Sequence, residues 1–310
     1  MAGSQVDGRF PALFFVSLLC VSGPLVMPLE LSAAAWVLLA ALMHATWNAL
    51  VKGSGDRLLT MTFLSFWPMI PALAAGLFWL PAPAPASWPF IAGSTLVHVG
   101  YYVGLIKAYR FGDLSQVYPL ARGTAPVLVA FLSAIAAGEL LAPAAFVGVA
   151  LVSIGTASLA FERGLPKGDN ARSVSFALMT ALSITLYTVI DGLGVRRSGT
   201  PLGYIAWLFA VNGFPLFFAA LVWRRGRVMA YFRETWHVGL LGGFLAFAGY
   251  GIAIWAMSRG AMAQVAALRE TGVVFAAIIG TLFLREPFGL RRIVAAVIVA
   301  VGIVVLQTSQ

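Results

Sequence analysis

The stretch AYRFGDLSQVYPLARG, from Ala108 to Gly123, is the part of the chain whose reading decides the fold. Tyr102, Ala108, Gly112, Gln116, Val117 and Leu120 recur 148 residues later as Tyr250, Ala256, Gly260, Gln264, Val265 and Leu268. The second copy reads AMSRGAMAQVAALRE, Ala256 to Glu270. Beyond that point the register slips by one, so that Arg122 answers to Arg269 and Glu139 to Glu286 at a spacing of 147. A fainter echo links Leu42 and Trp47 to Leu182 and Tyr187. The chain therefore reads as one unit written twice, at 32–161 and 173–307.

Outward from this repeat the sequence is a succession of apolar runs. Crossing about 30 Å of hydrocarbon takes about 20 mostly apolar residues in a helix. Ten runs meet that description, roughly 32–52, 57–80, 88–110, 115–137, 142–161, 173–193, 200–223, 236–259, 262–284 and 287–307. Short breaks separate them, such as Gly53-Ser54-Gly55-Asp56 and the proline-rich 81–85 segment, and the longest polar break, Glu162 to Arg172, falls at mid-chain. In lipid every backbone polar group must be paired internally, and the alternation of a barrel strand is absent, so the runs are expected to be helices. The expected fold is an all-α integral membrane protein of ten transmembrane helices. Five helices per repeat is an odd number, so the second copy must insert upside down relative to the first. Inverted repeats of this kind place a substrate site at the midplane between the two halves.

Composition agrees with a lipid-facing surface. Of the 310 residues, 61% are hydrophobic and only 10% charged, against about 25% charged in soluble domains. The net charge of +9 lies in short clusters between apolar runs, which suits loops that orient a membrane protein rather than a nucleic-acid stripe. A single cysteine, Cys20, excludes an internal disulfide, and His44, His98 and His237 are too scattered for a metal motif, so no cofactor is expected. Residues 1–31 are read as an N-terminal extension, with a signal-like segment or an eleventh helix as the alternatives. Arg9 and the apolar 11–20 run favour those alternatives; Pro11, Pro24, Pro28 and a second possible start at Met27 favour the extension.

The repeat stretch, together with Pro126, Gly138-Glu139 and the second-copy residues Arg259 to Thr271 and Leu284 to Glu286, resembles the EamA-type family of the drug/metabolite transporter superfamily. The run His44-Ala-Thr-Trp47-Asn48 through Lys52 is similar to the first-helix motif of one bacterial branch. The resemblance spans about 32–307. It implies two five-helix repeats, a central cavity and secondary transport, and leaves the substrate open, because fold alone does not set function.

Ionisable residues inside membrane helices are costly and mark substrate or ion pathways. Arg122, followed by Gly123 and bracketed by Pro119 and Pro126, is the first candidate, and Arg269 with Glu270 the second. Repeat symmetry puts the second opposite the first, and an Arg122–Glu270 pair that merely pins the halves together is the structural alternative. His44 and Asn48 are four residues apart and share a helix face with Trp47 beside them. Tyr101, Tyr102, Tyr118, Tyr187, Tyr250 and Trp255 are the aromatics expected to line the same space, and Tyr102 and Tyr250 stand out because the repeat selects them. Two arginines suit a carboxylate, which a guanidinium grips with two parallel bonds. The expected substrate-binding set is thus Arg122, Arg269, His44, Trp47, Asn48, Tyr102 and Tyr250. Glu270 and Asp191 are the expected proton carriers, although Asp191 and Lys52 are also read as groups at the membrane interface that reach for water. Glu139 and Glu286 are read as helix-end binders.

No phosphate-binding Gly-x-x-x-x-Gly-Lys loop is present, which argues against ATP drive. The expectation is a multi-pass inner-membrane transporter, not an enzyme, exporting a small carboxylate-bearing metabolite with protons as coupling ion. Its partners are the substrate, the bilayer and protons, with no nucleic acid, and it acts as monomer or homodimer. A lipid-linked-substrate flippase and an integral-membrane enzyme are the rival readings. Orientation follows from charge. Leaving aside Arg122 and Arg269, fourteen basic residues fall on the side of the 1–2, 5–6 and 7–8 loops and four on the side of the termini. The positive-inside rule makes the fourteen-residue side cytoplasmic, whereas the resembling superfamily usually keeps both termini there.

Overall fold

The protein, seen in a computed structural model, is described over residues 29–52, 56–111, 114–161, 170–284 and 289–309. Readings made for residues 1–28, for 162–169 and for Glu286 lie outside these, as do the side chains of Lys52 and Gln116. Among the described residues the chain is helical and has no strand: α1 (Leu31–Lys52), α2 (Arg57–Phe78), α3 (Trp88–Phe111), α4 (Leu114–Ala137), α5 (Pro143–Ser158), α6 (Asn170–Arg197), α7 (Pro201–Trp223), α8 (Val228–Met257), α9 (Met262–Arg269), α10 (Gly272–Leu284) and α11 (Leu290–Thr308). Eight of them, α1, α2, α4, α5, α6, α7, α8 and α11, are long and apolar enough to cross a membrane.

One expectation is corrected here. The run 262–284 is not one helix but two, α9 and α10, interrupted at Glu270-Thr271. At the break the Glu270 N–H turns back to the Ala267 carbonyl at 3.0 Å, and the Thr271 hydroxyl donates to the Leu268 carbonyl at 2.7 Å. Backbone groups freed from the helix are thereby satisfied locally, as a span inside a bilayer requires.

Local chemistry explains the helix ends. Asp56 caps α2, accepting from the Leu59 N–H at 3.3 Å, and Thr200 caps α7, accepting from the Gly203 N–H at 3.2 Å. Pro143 and Pro201 occupy first-turn positions, where a missing N–H costs nothing. After α4, Gly138 adopts φ +68°, a left-handed conformation that glycine takes without a Cβ clash. It ends the helix and turns Glu139 back beneath it.

The most extensive helix contacts are α3 with α6, α5 with α11, α2 with α7, α4 with α6, and α1 with α8. Close approach depends on small residues, the usual solution where lipid offers no hydrophobic drive. A Cβ on Gly123 would lie 2.4 Å from the Ala157 nitrogen, so α4 touches α5 directly beside Arg122. The main apolar core gathers at one end of the bundle, the face carrying the start of α1 and the end of α11. It includes Val37, Ile91, Ala136, Val149, Leu193, Tyr204, Ile254, Met257 and Met262. At the opposite end, which holds the Arg224-Arg225-Gly-Arg227 turn, lies a cavity of about 660 Å³ lined by residues that include Leu50, Asp56, Thr60, Tyr231 and Glu234. The apolar core thus fills the terminal face, and this cavity lies at the basic face, between the end of α1 and the starts of α2 and α8. Leu31, Ile135, Leu140 and Leu96 point outward, as a lipid-facing surface requires.

Candidate functional site

Arg122 projects from the third turn of α4, between Pro119 and Pro126, and meets Glu270 at the break between α9 and α10. Its Nε donates to Glu270 Oε2 at 3.1 Å, and its Nη2 lies 2.9 Å from Oε1. The contact is therefore a two-pronged ion pair, with both side chains buried. The break also suits one of its two charges. Arg269 ends α9, where the helix's partial negative charge favours a cation, whereas Glu270 is the C-cap of α9 and stands two residues before α10.

Arg269 does not share the fork. Its guanidinium stacks 5.0 Å above the ring of Tyr250 on α8, a cation–π contact. The Tyr250 hydroxyl in turn donates to Asp191 Oδ2 at 2.6 Å, and the Tyr204 hydroxyl donates to Oδ1 at 3.0 Å. Asp191 is fully buried on α6. This corrects its reading as an interfacial group reaching for water: two tyrosine hydroxyls hold it in the interior.

The first-helix motif faces the same region. His44 Nε2 lies 3.1 Å from the Tyr118 hydroxyl on α4, and Trp47 packs edge-on against the His44 ring at 5.0 Å. The Asn48 amide is turned to its own helix, donating to the His44 carbonyl at 2.8 Å. The charges of both Arg122 and Arg269 bear on His44 and Tyr118, so the four groups share one polar layer.

An aromatic wall closes the layer. His98, Tyr101 and Tyr102 lie on one stripe of α3, at the spacing that brings side chains onto one helix face. The His98 ring stacks on Tyr187 at 4.2 Å, Tyr187 meets Tyr250 edge-on at 5.6 Å, and Tyr101 meets Tyr102 at 5.3 Å. The Tyr102 hydroxyl is 3.4 Å from Ser65 Oγ. His98 Nδ1 faces the Ser94 carbonyl at 2.8 Å, which can only accept, so that nitrogen carries the proton.

The structure thus gathers Arg122, Arg269, Glu270, His44, Trp47, Tyr102, Tyr250 and Asp191 around one layer, with Asn48 at its edge. Two members escaped the sequence reading as site candidates, His98 and Tyr204. Their signal was slight: His98 stands three and four residues before Tyr101 and Tyr102, and Tyr204 has no repeat counterpart to single it out.

A bundle that is helical over the described residues, with eight helices apolar enough to cross a membrane and a buried ion pair where α9 gives way to α10, defines the class: a multi-pass membrane protein. The EamA-like transporter family model matches residues 171–308, so the second half of the chain is an EamA-like domain of the drug/metabolite transporter superfamily. No curated protein matches the sequence. A solved protein crystal structure superposes with a TM-score of 0.70, covering 88% of this chain and 97% of its own, at 20% identity, a likeness of fold alone.

Proposed function

We propose that the protein is a secondary transporter that exports a small, carboxylate-bearing polar metabolite across the inner membrane by alternating access, driven by protons. The observation that carries this reading is the buried Arg122–Glu270 fork at the break between α9 and α10. Discontinuous helices at mid-membrane are where transporters bind their substrates and ions. A substrate carboxylate presents the same two oxygens as Glu270 and competes for the same guanidinium face. Arg269 over Tyr250 supplies a second cation, and the wall of Tyr101, Tyr102 and Tyr187 shapes the rest of the site.

Two inverted repeats, 32–161 and 173–307, underlie the movement. The packing supports this: α3 with α6 and α1 with α8 are the same pairing with the halves exchanged, while α2 with α7 and α5 with α11 each pair a helix with its own counterpart. The charge asymmetry favours the basic face as the cytoplasmic one, and the apolar core at the terminal face with a cavity at the basic face supports reading this conformation as the one closed to the outside.

Glu270 and Asp191 are the proton carriers proposed. Displacement of Glu270 from Arg122 by substrate leaves a buried carboxylate without its cation, and such a group takes up a proton. Asp191 accepts from Tyr204 on α7 and from Tyr250 on α8, whose ring also carries the Arg269 guanidinium. The test is uptake of a labelled metabolite panel into proteoliposomes with and without a pH gradient, comparing the native protein with Glu270→Gln and Asp191→Asn. A carrier variant keeps exchange at equal pH and loses gradient-driven accumulation. Retention of accumulation by both variants refutes proton coupling at this layer.

A further inference from the structure

A second buried ion pair lies away from the substrate layer, in the packed terminal face. Glu139, turned back by Gly138, is 1% exposed. Its Oε2 accepts from the Met262 backbone N–H at 2.9 Å, capping the first turn of α9, and its Oε1 is 2.5 Å from Arg196 Nη2. Arg196, near the end of α6, also donates to the turn between α8 and α9. Its Nε donates to the Met257 carbonyl at 2.9 Å and its Nη2 to the Gly260 carbonyl at 2.8 Å. Four segments meet in this knot: the α4–α5 turn, the end of α6, the α8–α9 turn and the start of α9. The Leu29 N–H adds the chain before α1 by donating to Gln264 Oε1 at 3.3 Å.

We infer that the Glu139–Arg196 knot is the latch that holds the terminal face shut, and that its release opens the substrate layer to that side. The inference rests on the alternating-access reading above. Three features favour a latch over passive packing. The knot joins segments from both halves of the chain across the face sealed by the main core. It is built from one ion pair and three backbone bonds that end on two side chains, so two rotations undo it. Arg196 also keeps 27% of its side chain exposed, which lets water take over its bonds when it leaves, whereas the apolar core beside it has no such substitute.

The test uses the full chain with Cys20→Ser and one reporter cysteine, probed with a membrane-impermeant maleimide. Ala263→Cys, buried in the first turn of α9, reports opening of the terminal face; Leu50→Cys, in the wall of the basic-side cavity, reports the opposite face. Glu139→Gln keeps an acceptor for the Met262 N–H and removes the charge from Arg196. The latch predicts labelling of Ala263→Cys at least about tenfold faster in the Glu139→Gln background, with Leu50→Cys slowed only slightly, because a minor state of a two-state population can grow tenfold while the major one hardly shrinks. Faster labelling at both Ala263→Cys and Leu50→Cys means that the variant has loosened both faces at once and overturns a latch that exchanges one face for the other. Unchanged labelling at Ala263→Cys in a folded variant overturns the latch. If Glu139→Gln does not fold, Arg196→Lys decides with the same reporters, because lysine keeps the charge and cannot span both carbonyls; no gain at Ala263→Cys there overturns the proposal equally.

Discussion

Arg122→Ala leaves Glu270 buried at 3% exposure, with its two-pronged cation gone. Breaking a buried pair by deleting one partner costs about 3–5 kcal/mol, because the remaining charge is left uncompensated. At 1.4 kcal/mol per decade, that is roughly two to four orders of magnitude in the folded-to-unfolded ratio. The double variant Arg122→Leu/Glu270→Leu removes both charges and fills the space with apolar atoms; such replacements are neutral or stabilising by about 1–4 kcal/mol. Stability and transport should therefore separate. Denaturation in mixed micelles should show the single variant destabilised by the full amount and the double variant near the native protein. Transport in proteoliposomes should be lost in both, because neither offers a guanidinium to the substrate. A double variant that is stable and still transports would reduce the fork to a structural pin. A single variant as stable as the native protein would mean that the fork does not form in the membrane.

Other outcomes follow from the same contacts. Arg122→Lys should transport poorly though it keeps the charge, since an ammonium cannot reproduce a planar fork, and uptake kinetics would show it. Tyr250→Phe removes the 2.6 Å donor to Asp191, and a hydrogen bond to a charged group contributes about 1.5–3 kcal/mol, so unfolding in detergent should shift by that amount. Gly123→Leu should fail to accumulate in membranes, because a Cβ there already meets Ala157 at 2.4 Å; normal expression would contradict the packing of α4 on α5. Reporter fusions after residues 165 and 229 should behave as cytoplasmic, and a periplasmic result for both would overturn the orientation read from charge.

Much of this architecture was legible because lipid imposes simple rules. Apolar runs such as 200–223 had to be helices, and α7 runs from Pro201 to Trp223. The repeat singled out Arg122, Arg269 and Tyr250 from the sequence alone, since identical positions in two copies are improbable by chance. What was hidden depends on distance in space. The stretch Arg269-Glu270-Thr271-Gly272 is a local dip in hydropathy at the break, but the strongly apolar run beyond it makes 262–284 read as one span. Asp191 read as interfacial because two arginines follow at 196 and 197, while its partners Tyr204 and Tyr250 lie on other helices. His98 was invisible for a related reason: its importance comes from stacking on Tyr187, a residue 89 positions away.

The most direct test of carboxylate transport at the Arg122 layer is pH-gradient-driven accumulation in proteoliposomes. A labelled panel of small carboxylates would be compared with the uncharged methyl esters of the same compounds, in the native protein and in Arg122→Ala. The account predicts that at least one carboxylate accumulates, that its ester does not, and that Arg122→Ala abolishes the difference. Equal handling of acid and ester, or undiminished accumulation in Arg122→Ala, would contradict it.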